Sequence, residues 1–369
     1  AVGGVTALGL VFVLCMGILT CALPRRHAVA PLLITTCYMP LGQVFMIGGL
    51  NFPFFRILLL VGLIRVWARK EGSGLELTSL DKIFGWWVVV TLVVGTLASP
   101  SLDRFINRGG EVFNAVGCYV LFRCWVRDFN ELIRVVRFLA VMIVPLAVTM
   151  VVEKVTGRNL FYVLGGVPEH GEIREGRLRC QGAFRHPILA GTYAATMLPL
   201  FIGLWFGREG RKLAGIGGCS AVVATMASAS SGPLLAMVAV MAGCALWHFR
   251  HQMRLFRWAM VGALIGLALV MKQPVWFLIS RISDICGGSG WHRSYLIEVA
   301  LRHLHEWWLV GSTYTAHWGP GGQVLASDPN NMDITNHYIA EGLGGGLLKL
   351  GFFIAMIVAG YKTIGRWVG

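Results

Sequence analysis

Two apolar runs, FRWAMVGALIGLALVMKQ (residues 256–273) and YIAEGLGGGLLKLGFFIAMIVAGY (residues 338–361), bracket a long and mostly polar stretch. That stretch ends in Asp333-Ile-Thr-Asn-His337, just where the second run begins. Each run is close to the 20 residues that cross a hydrocarbon layer about 30 Å thick. Comparable runs lie near 4–23, 28–48, 53–68, 83–99, 109–126, 134–153, 187–206, 213–229 and 232–249. The chain of 369 residues is 56% hydrophobic and only 14% charged, whereas a soluble domain carries about 25% charged residues. Its mean hydropathy is +0.67. In lipid the backbone has to satisfy its own hydrogen bonds, so serial apolar runs of this length predict helices. The expected fold is all-α: one polytopic membrane domain over 1–369, of about 11 spans, with the lipid bilayer as its surroundings.

Within this pattern the second run is interrupted by Pro40 and Gly42, so it is expected to be kinked or partly re-entrant. Ser228-Ala-Ser-Ser-Gly-Pro233 separates the eighth run from the ninth as a tight turn. The chain begins Ala-Val-Gly and has no basic segment before its first run. An intact chain that starts in the cytoplasm would need a further span before Ala1, making twelve or more. Helices are also expected beyond Gly369.

A net charge of +14 invites a nucleic-acid reading. Its distribution points elsewhere. One alternate set of connecting segments carries 18 of the 32 Lys and Arg but six of the 18 Asp and Glu. Short loops rich in Lys and Arg stay cytoplasmic, so the charge reads as a topology signal and nucleic acid is not an expected partner. The same assignment puts two loops, 154–186 and 274–337, on the extracytoplasmic face. No strong internal repeat suggests the inverted halves of many transporters.

Most of the nine cysteines, among them Cys15, Cys21, Cys37, Cys118, Cys219 and Cys244, fall in apolar runs and read as small hydrophobes. Cys180 and Cys286 lie in the outer loops, where an oxidising compartment would let them pair. No Cys/His spacing suggests a zinc site, and no Gly-rich phosphate loop or EF-hand pattern occurs. No metal or cofactor is expected.

The outer arginines run against the positive-inside bias. Arg174, Arg177, Arg179 and Arg185 crowd one outer loop; Arg281, Arg293 and Arg302 lie in the other. Guanidinium forks hold phosphate or carboxylate oxygens, here those of lipid headgroups or lipid-linked diphosphates. The alternative is pairing with Glu169, Glu172 and Glu175, or anchoring to headgroups. His337, preceded by Asp333, Thr335 and Asn336, sits in what is first of all a capping sequence. It is also placed to act as a general base, because imidazole titrates near pH 6.5. The other loop histidines lack that setting, and on one helix His303 and His305 would point apart. Ser228, Ser230 and Ser231 have no nucleophile elbow around them and read as a turn. Gly344-Gly-Gly346 reads as close helix packing.

Four stretches resemble the O-antigen ligase/polymerase superfamily of polytopic glycosyltransferases. They are Glu153-Lys-Val-Thr-Gly-Arg-Asn159; Arg179-Cys-Gln-Gly182-Ala-Phe184-Arg-His-Pro187 with Gly191; Arg293 through Trp308-Leu-Val-Gly311; and Thr335-Asn-His337-Tyr-Ile with Glu341-Gly342 and Gly345-Gly346. They cover roughly 150–350. There are two departures: Ser230-Ser231-Gly232 stands where the family often has Ser-Arg-Gly, and His292 where a glycine is usual. The resemblance implies metal-independent transfer of a glycan from undecaprenyl diphosphate to an acceptor hydroxyl on a glycan, lipid or protein. That reaction belongs to the periplasmic face of a bacterial inner membrane. By resemblance His337 is the base, Arg179 and Arg293 are diphosphate ligands, and Arg177 and Arg185 are reserves. Two other readings stay open. A solute or anion transporter would need ionisable residues inside its spans, and Arg56, Glu111 and Lys349 are the candidates, all near expected ends. A non-catalytic subunit of a membrane assembly is the other.

Overall fold

The computed structural model describes residues 5–47, 50–98, 100–174, 176–207, 210–285, 290–319, 324–325 and 328–368. It is mostly helical, 76% helix and 5% strand. In chain order the first helices are α1 (Ala7–Ala22), α2 (Val29–Tyr38), α3 (Phe54–Ala68), α4 (Ser79–Leu97), α5 (Leu102–Trp125), α6 (Phe129–Thr156) and α7 (Pro187–Phe206). Then follow α8 (Arg211–Ala227), α9 (Ser231–Ala245), α10 (Met253–Val270), α11 (Leu278–Ile285), α12 (Gly290–Arg302), α13 (Leu304–Trp307) and α14 (His337–Val368). Three antiparallel hairpins complete the described structure: β1 (Val44–Ile47) with β2 (Leu50–Pro53), β3 (Glu172–Arg174) with β4 (Arg177–Arg179), and β5 (Val324–Leu325) with β6 (Asp328–Met332).

Among the described residues, five helical runs are long and apolar enough to cross a membrane: α4, α6, α7, Ser231–Val270 and His337–Arg366. Several other expected spans form shorter helices. α2 has only 10 residues, about 15 Å of rise, and stops just before Pro40. The β1–β2 hairpin follows. The runs expected at 232–249 and 256–273 form α9 and α10, joined by a short 3-10 segment that kinks at Phe249.

The chain forms two compact units, 1–73 with 117–260, and 74–116 with 261–369. In the first, α8 packs on α6 and α7, and α7 also packs on α9. Small residues make this close approach possible. A side chain on Gly217 would meet Ala140, and one on Gly191 would meet Ser228 and Pro233. α8 buries Ala214, Gly217, Ala221, Ala224 and Thr225, a helical stripe of small residues. The turn at Pro40–Gln43 has its own role: Gln43 Nε2 donates to the Leu164 carbonyl at 2.6 Å. Gly42 lies so close to Gly166 that any Cβ would clash with its backbone.

The second unit packs α4 on α14 and α11 on α12. Its polar stretch 274–337 folds around a core of its own, in which Leu296, Val299, Trp307, Trp318 and Met332 are buried with Ile339 and Leu343 of α14.

In the first unit a buried ion pair joins α3 to the segment after it. Arg65 Nη2 meets Glu71 Oε1 at 2.8 Å, and Trp125 Nε1 donates to Glu71 Oε2 at 2.8 Å. Burial works against the Glu71 charge, but the Arg65 and Trp125 hydrogen bonds and the charges of Arg65 and Arg69 outweigh it. Its carboxyl therefore sits below the ordinary value of 4.5. Such a group stabilises the fold above its unfolded pKa and loses that contribution as pH falls through the folded one. Glu71→Gln, which strips Arg65 of its counter-charge, is expected to cost roughly 3 kcal/mol. Thermal melts in detergent should show the gap between wild type and variant closing as pH falls below 4.5. A gap that stays constant across that range would contradict this assignment.

Candidate active site

The second unit places His337 at the first turn of α14. Asn336 caps that turn: its Oδ1 accepts from the Tyr338 and Ile339 amides at 3.0 and 3.4 Å. His337 leaves its ring 70% exposed, and its Nε2 lies 3.5 Å from Glu341 Oε1, one turn along. The ring also stands edge-on to Phe353, with centroids 5.2 Å apart. In a straight helix residues 337 and 353 would be about 24 Å apart, so α14 must double back between them. It does so at Gly345 and Gly346, where the backbone leaves helical geometry. Gly346 has φ +70°, and a Cβ there would lie 2.2 Å from the Leu309 carbonyl oxygen. Only glycine fits that position. The stretch 307–312 packs into the bend: the Ser312 amide donates to the Leu343 carbonyl, and the Leu347 amide to that of Trp308. Gly344 makes the expected close packing, its carbonyl oxygen lying against Gly95 of α4. Gly345 and Gly346 break the helix instead.

The reversal brings Lys349 back to Glu341. Lys349 is 1% exposed, and its Nζ lies 3.4 Å from Glu341 Oε2 and 2.7 Å from Glu111 Oε1. Trp87 Nε1 donates to Glu341 Oε2 at 3.0 Å, and Lys349 Nζ also lies over the Trp87 ring. Glu111 Oε2 accepts from Arg108 Nη1 at 2.7 Å. The result is a chain of alternating charge, Glu341–Lys349–Glu111–Arg108, with the His337 ring at its outer end. Trp87 and Lys349 fix one oxygen of Glu341, and the other faces His337. A carboxylate anchored in this way lies beside the exposed imidazole without a hydrogen bond to it, close enough to act on a general base after a small movement.

A cavity of ≈590 Å³ opens beside this chain. Arg104 and Arg108, one turn apart on α5, share its lining with Ser312, Thr313, Asn331 and Asp333. Asp333 and Ala340, on either side of His337 in sequence, both line it, whereas His337, Glu341 and Lys349 do not. Arg104 Nε donates to the Gly95 carbonyl at 2.6 Å, while its Nη2 is buried without a partner among the described residues. Two guanidiniums beside hydroxyls and an amide suit an anionic oxygen ligand. The sequence reading missed Arg104 and Arg108. The available signal was their i, i+4 spacing on a segment outside the basic cytoplasmic set.

Of the expected ligands, Arg293 belongs to the same unit as His337. It is half-buried on α12, and its neighbour His292 contacts the Asp333 carbonyl through Nε2 at 3.0 Å. Arg177, Arg179 and Arg185 belong to the first unit. Arg177 and Arg185 are exposed. Arg179 is buried, pairing through Nη1 with Glu172 at 2.9 Å, its partner across the β3–β4 hairpin. Its Nη2 donates to Ser230 Oγ at 2.9 Å. Both ends of its fork are therefore occupied within its own unit. Close by, Glu153 accepts from the Gln181 and Gly182 amides, and Asn159 Nδ2 donates to the Gly182 carbonyl at 2.8 Å. Cys180 is a buried thiol, pushed up to about 12 by burial and the Glu153 carboxylate. Its expected partner, Cys286, lies outside the described residues. An apolar cavity of ≈1050 Å³ lies among α7, α8 and α9, toward the ends of these helices away from Arg179.

Among the described residues one group has metal-ligating geometry: His303, Glu306 and His317 of the polar stretch. None of the three lines the ≈590 Å³ cavity. Burial works against the Glu306 charge, but hydrogen bonds from Trp318 and His317 and the charges of His317 and His303 outweigh it, lowering its pKa. No family model, curated protein or solved structure matches the chain.

Lys349→Met would leave Glu111 and Glu341 facing each other without the cation between them. The expected cost is about 3–5 kcal/mol, read as a lowered melting temperature in detergent. A loss below about 1 kcal/mol would mean that the ion chain carries no structural weight.

Proposed function

We propose that this chain is a membrane glycosyltransferase of the O-antigen ligase/polymerase kind. It would move a glycan from undecaprenyl diphosphate to an acceptor hydroxyl on a glycan, lipid or protein. In this reading the chain has about 11 spans in a bacterial inner membrane, with 154–186 and 274–337 on the periplasmic side. The observation that carries the reading is the His337–Glu341 pair, anchored through Lys349 and Trp87 beside a cavity with two arginines.

His337 takes the proton of the acceptor hydroxyl, and the oxygen attacks the anomeric carbon. The bond from that carbon to the diphosphate oxygen breaks, undecaprenyl diphosphate leaves with the electron pair, and the linkage inverts. Glu341 orients the imidazole and stabilises the imidazolium that forms. Guanidinium groups offset the charge growing on the leaving group, a role that preorganised donors fill without a metal. Arg293 is the family-derived candidate in the same unit as His337, and Arg104 and Arg108 join it on the strength of the cavity. Arg179, Arg177 and Arg185 keep their assignment by resemblance alone, and Glu172 and Ser230 already occupy the Arg179 fork.

One observation favours a second reading. Lys349, Glu111 and Glu341 are ionisable residues held within helices, a property of transport pathways. Reconstitution separates the two. Purified protein in lipid, given a labelled undecaprenyl-diphosphate glycan and acceptors, should transfer the glycan. His337→Ala should slow transfer by about 10²–10⁴-fold without lowering the melting temperature. Unchanged transfer in that variant would overturn the assignment of the base. A wild type inactive with every donor and acceptor, but able to carry anions into vesicles, would overturn the enzyme class.

A further inference from the structure

Three of the polar stretch's other histidines, His303, His305 and His317, lie together, while His292 contacts the Asp333 carbonyl. α12 ends at Arg302, and His303, with φ −99°, separates it from α13. No single helix therefore carries His303 and His305, and their rings lie 6.4 Å apart, contrary to the expectation that they point away from each other. His317, on the turn at Ala316–Trp318, brings its ring edge-on to His303 at 5.4 Å. Glu306 stands between them. One ligand atom from each of His303, Glu306 and His317 lies within 4.8 Å of the others.

The surrounding contacts prepare these atoms for an ion. His303 Nδ1 lies 2.9 Å from the Val299 carbonyl, which can only accept, so Nδ1 carries a proton and Nε2 is the nitrogen left to meet an ion. That is how ligand histidines are oriented. Trp318 Nε1 donates to Glu306 Oε2 at 3.0 Å, fixing the carboxylate, and the Trp318 ring stacks on His303 at 5.2 Å. His317 Nε2 lies 3.1 and 3.0 Å from the two Glu306 oxygens.

We infer that His303, Glu306 and His317 form a binding site for a divalent transition ion of the zinc class. Two imidazoles and one carboxylate supply three ligands, and water takes the fourth position. Around zinc, ligand atoms stand roughly 3.4 Å apart, so the three atoms, now within 4.8 Å of one another, draw slightly closer on binding. Binding replaces the proton on His317 Nε2, which moves to Nδ1 or is released to solvent. The ion joins the end of α12, α13 and the 316–318 turn, three pieces around the core of Val299, Trp307 and Trp318. Its role is to hold the polar stretch together. The inference is independent of the proposed transfer reaction.

The test uses the whole chain, purified in detergent, stripped with chelator and titrated with Zn²⁺ or Co²⁺. One zinc per chain is expected, and it should raise the melting temperature. Cobalt should give d–d bands without a thiolate charge-transfer band, since the ligands are not cysteines. His317→Ala, on an exposed ring, should weaken binding by at least about 100-fold and abolish the zinc-dependent stabilisation. Trp318→Phe keeps the ring but removes the hydrogen bond to Glu306, and should cost about 10-fold. Absence of stoichiometric binding, a thiolate band, or affinity unchanged in His317→Ala would each overturn the site.

Discussion

Lys349 is a cation with almost no access to solvent, and its burial sets the geometry of the second unit. Taking an ammonium out of water costs several kcal/mol unless opposite charges meet it at close range. Here Glu111 comes from α5 and Glu341 from the first limb of α14, so two elements must converge on one side chain. The first limb reaches Lys349 only because α14 turns back at Gly345 and Gly346. That bend needs a residue without a Cβ at Gly346, where the 307–312 segment closes over it. One electrostatic requirement thus fixes a helix reversal, the seat of a loop and the position of His337.

The first unit is organised around a different constraint. A buried carboxylate, Glu153, is met by backbone amides, and Asn159 takes up the carbonyl on the other side of Gly182. Arg179 then ties its own hairpin to the turn between α8 and α9 through Ser230. Motifs distant in sequence are paired here by hydrogen bonds, whereas in the second unit Gly342 meets the Trp307 ring by close packing alone. The chain therefore spends its few buried polar groups on fixing loops, because small-residue packing already holds helices such as α6, α7 and α8 together.

Helical membrane character was legible from apolar runs, because hydropathy and helix length are properties of contiguous residues. The interruption at Pro40 and the turn before Pro233 were legible for the same reason. The short α2 and the reversal in α14 were not, since each depends on what packs alongside. His337 could be singled out from its place at a polar-to-apolar junction. Its partners could not. Trp87 lies 254 residues from Glu341, and Glu111 lies 238 from Lys349. Arg104 and Arg108 gave only a spacing, and so did His303 and Glu306, three residues apart, whose meeting with His317 depends on the fold of the segment between.

The central claim is that Glu341 acts on the reaction through His337, and a double-mutant cycle tests it most directly. Glycan transfer would be measured for wild type, His337→Ala, Glu341→Gln and the double variant, each first shown to be folded. If Glu341 only positions and stabilises the imidazole, its substitution has nothing left to remove once the imidazole is gone. The double variant should then be no slower than His337→Ala. Losses that multiply independently would contradict the account and give the two side chains separate roles.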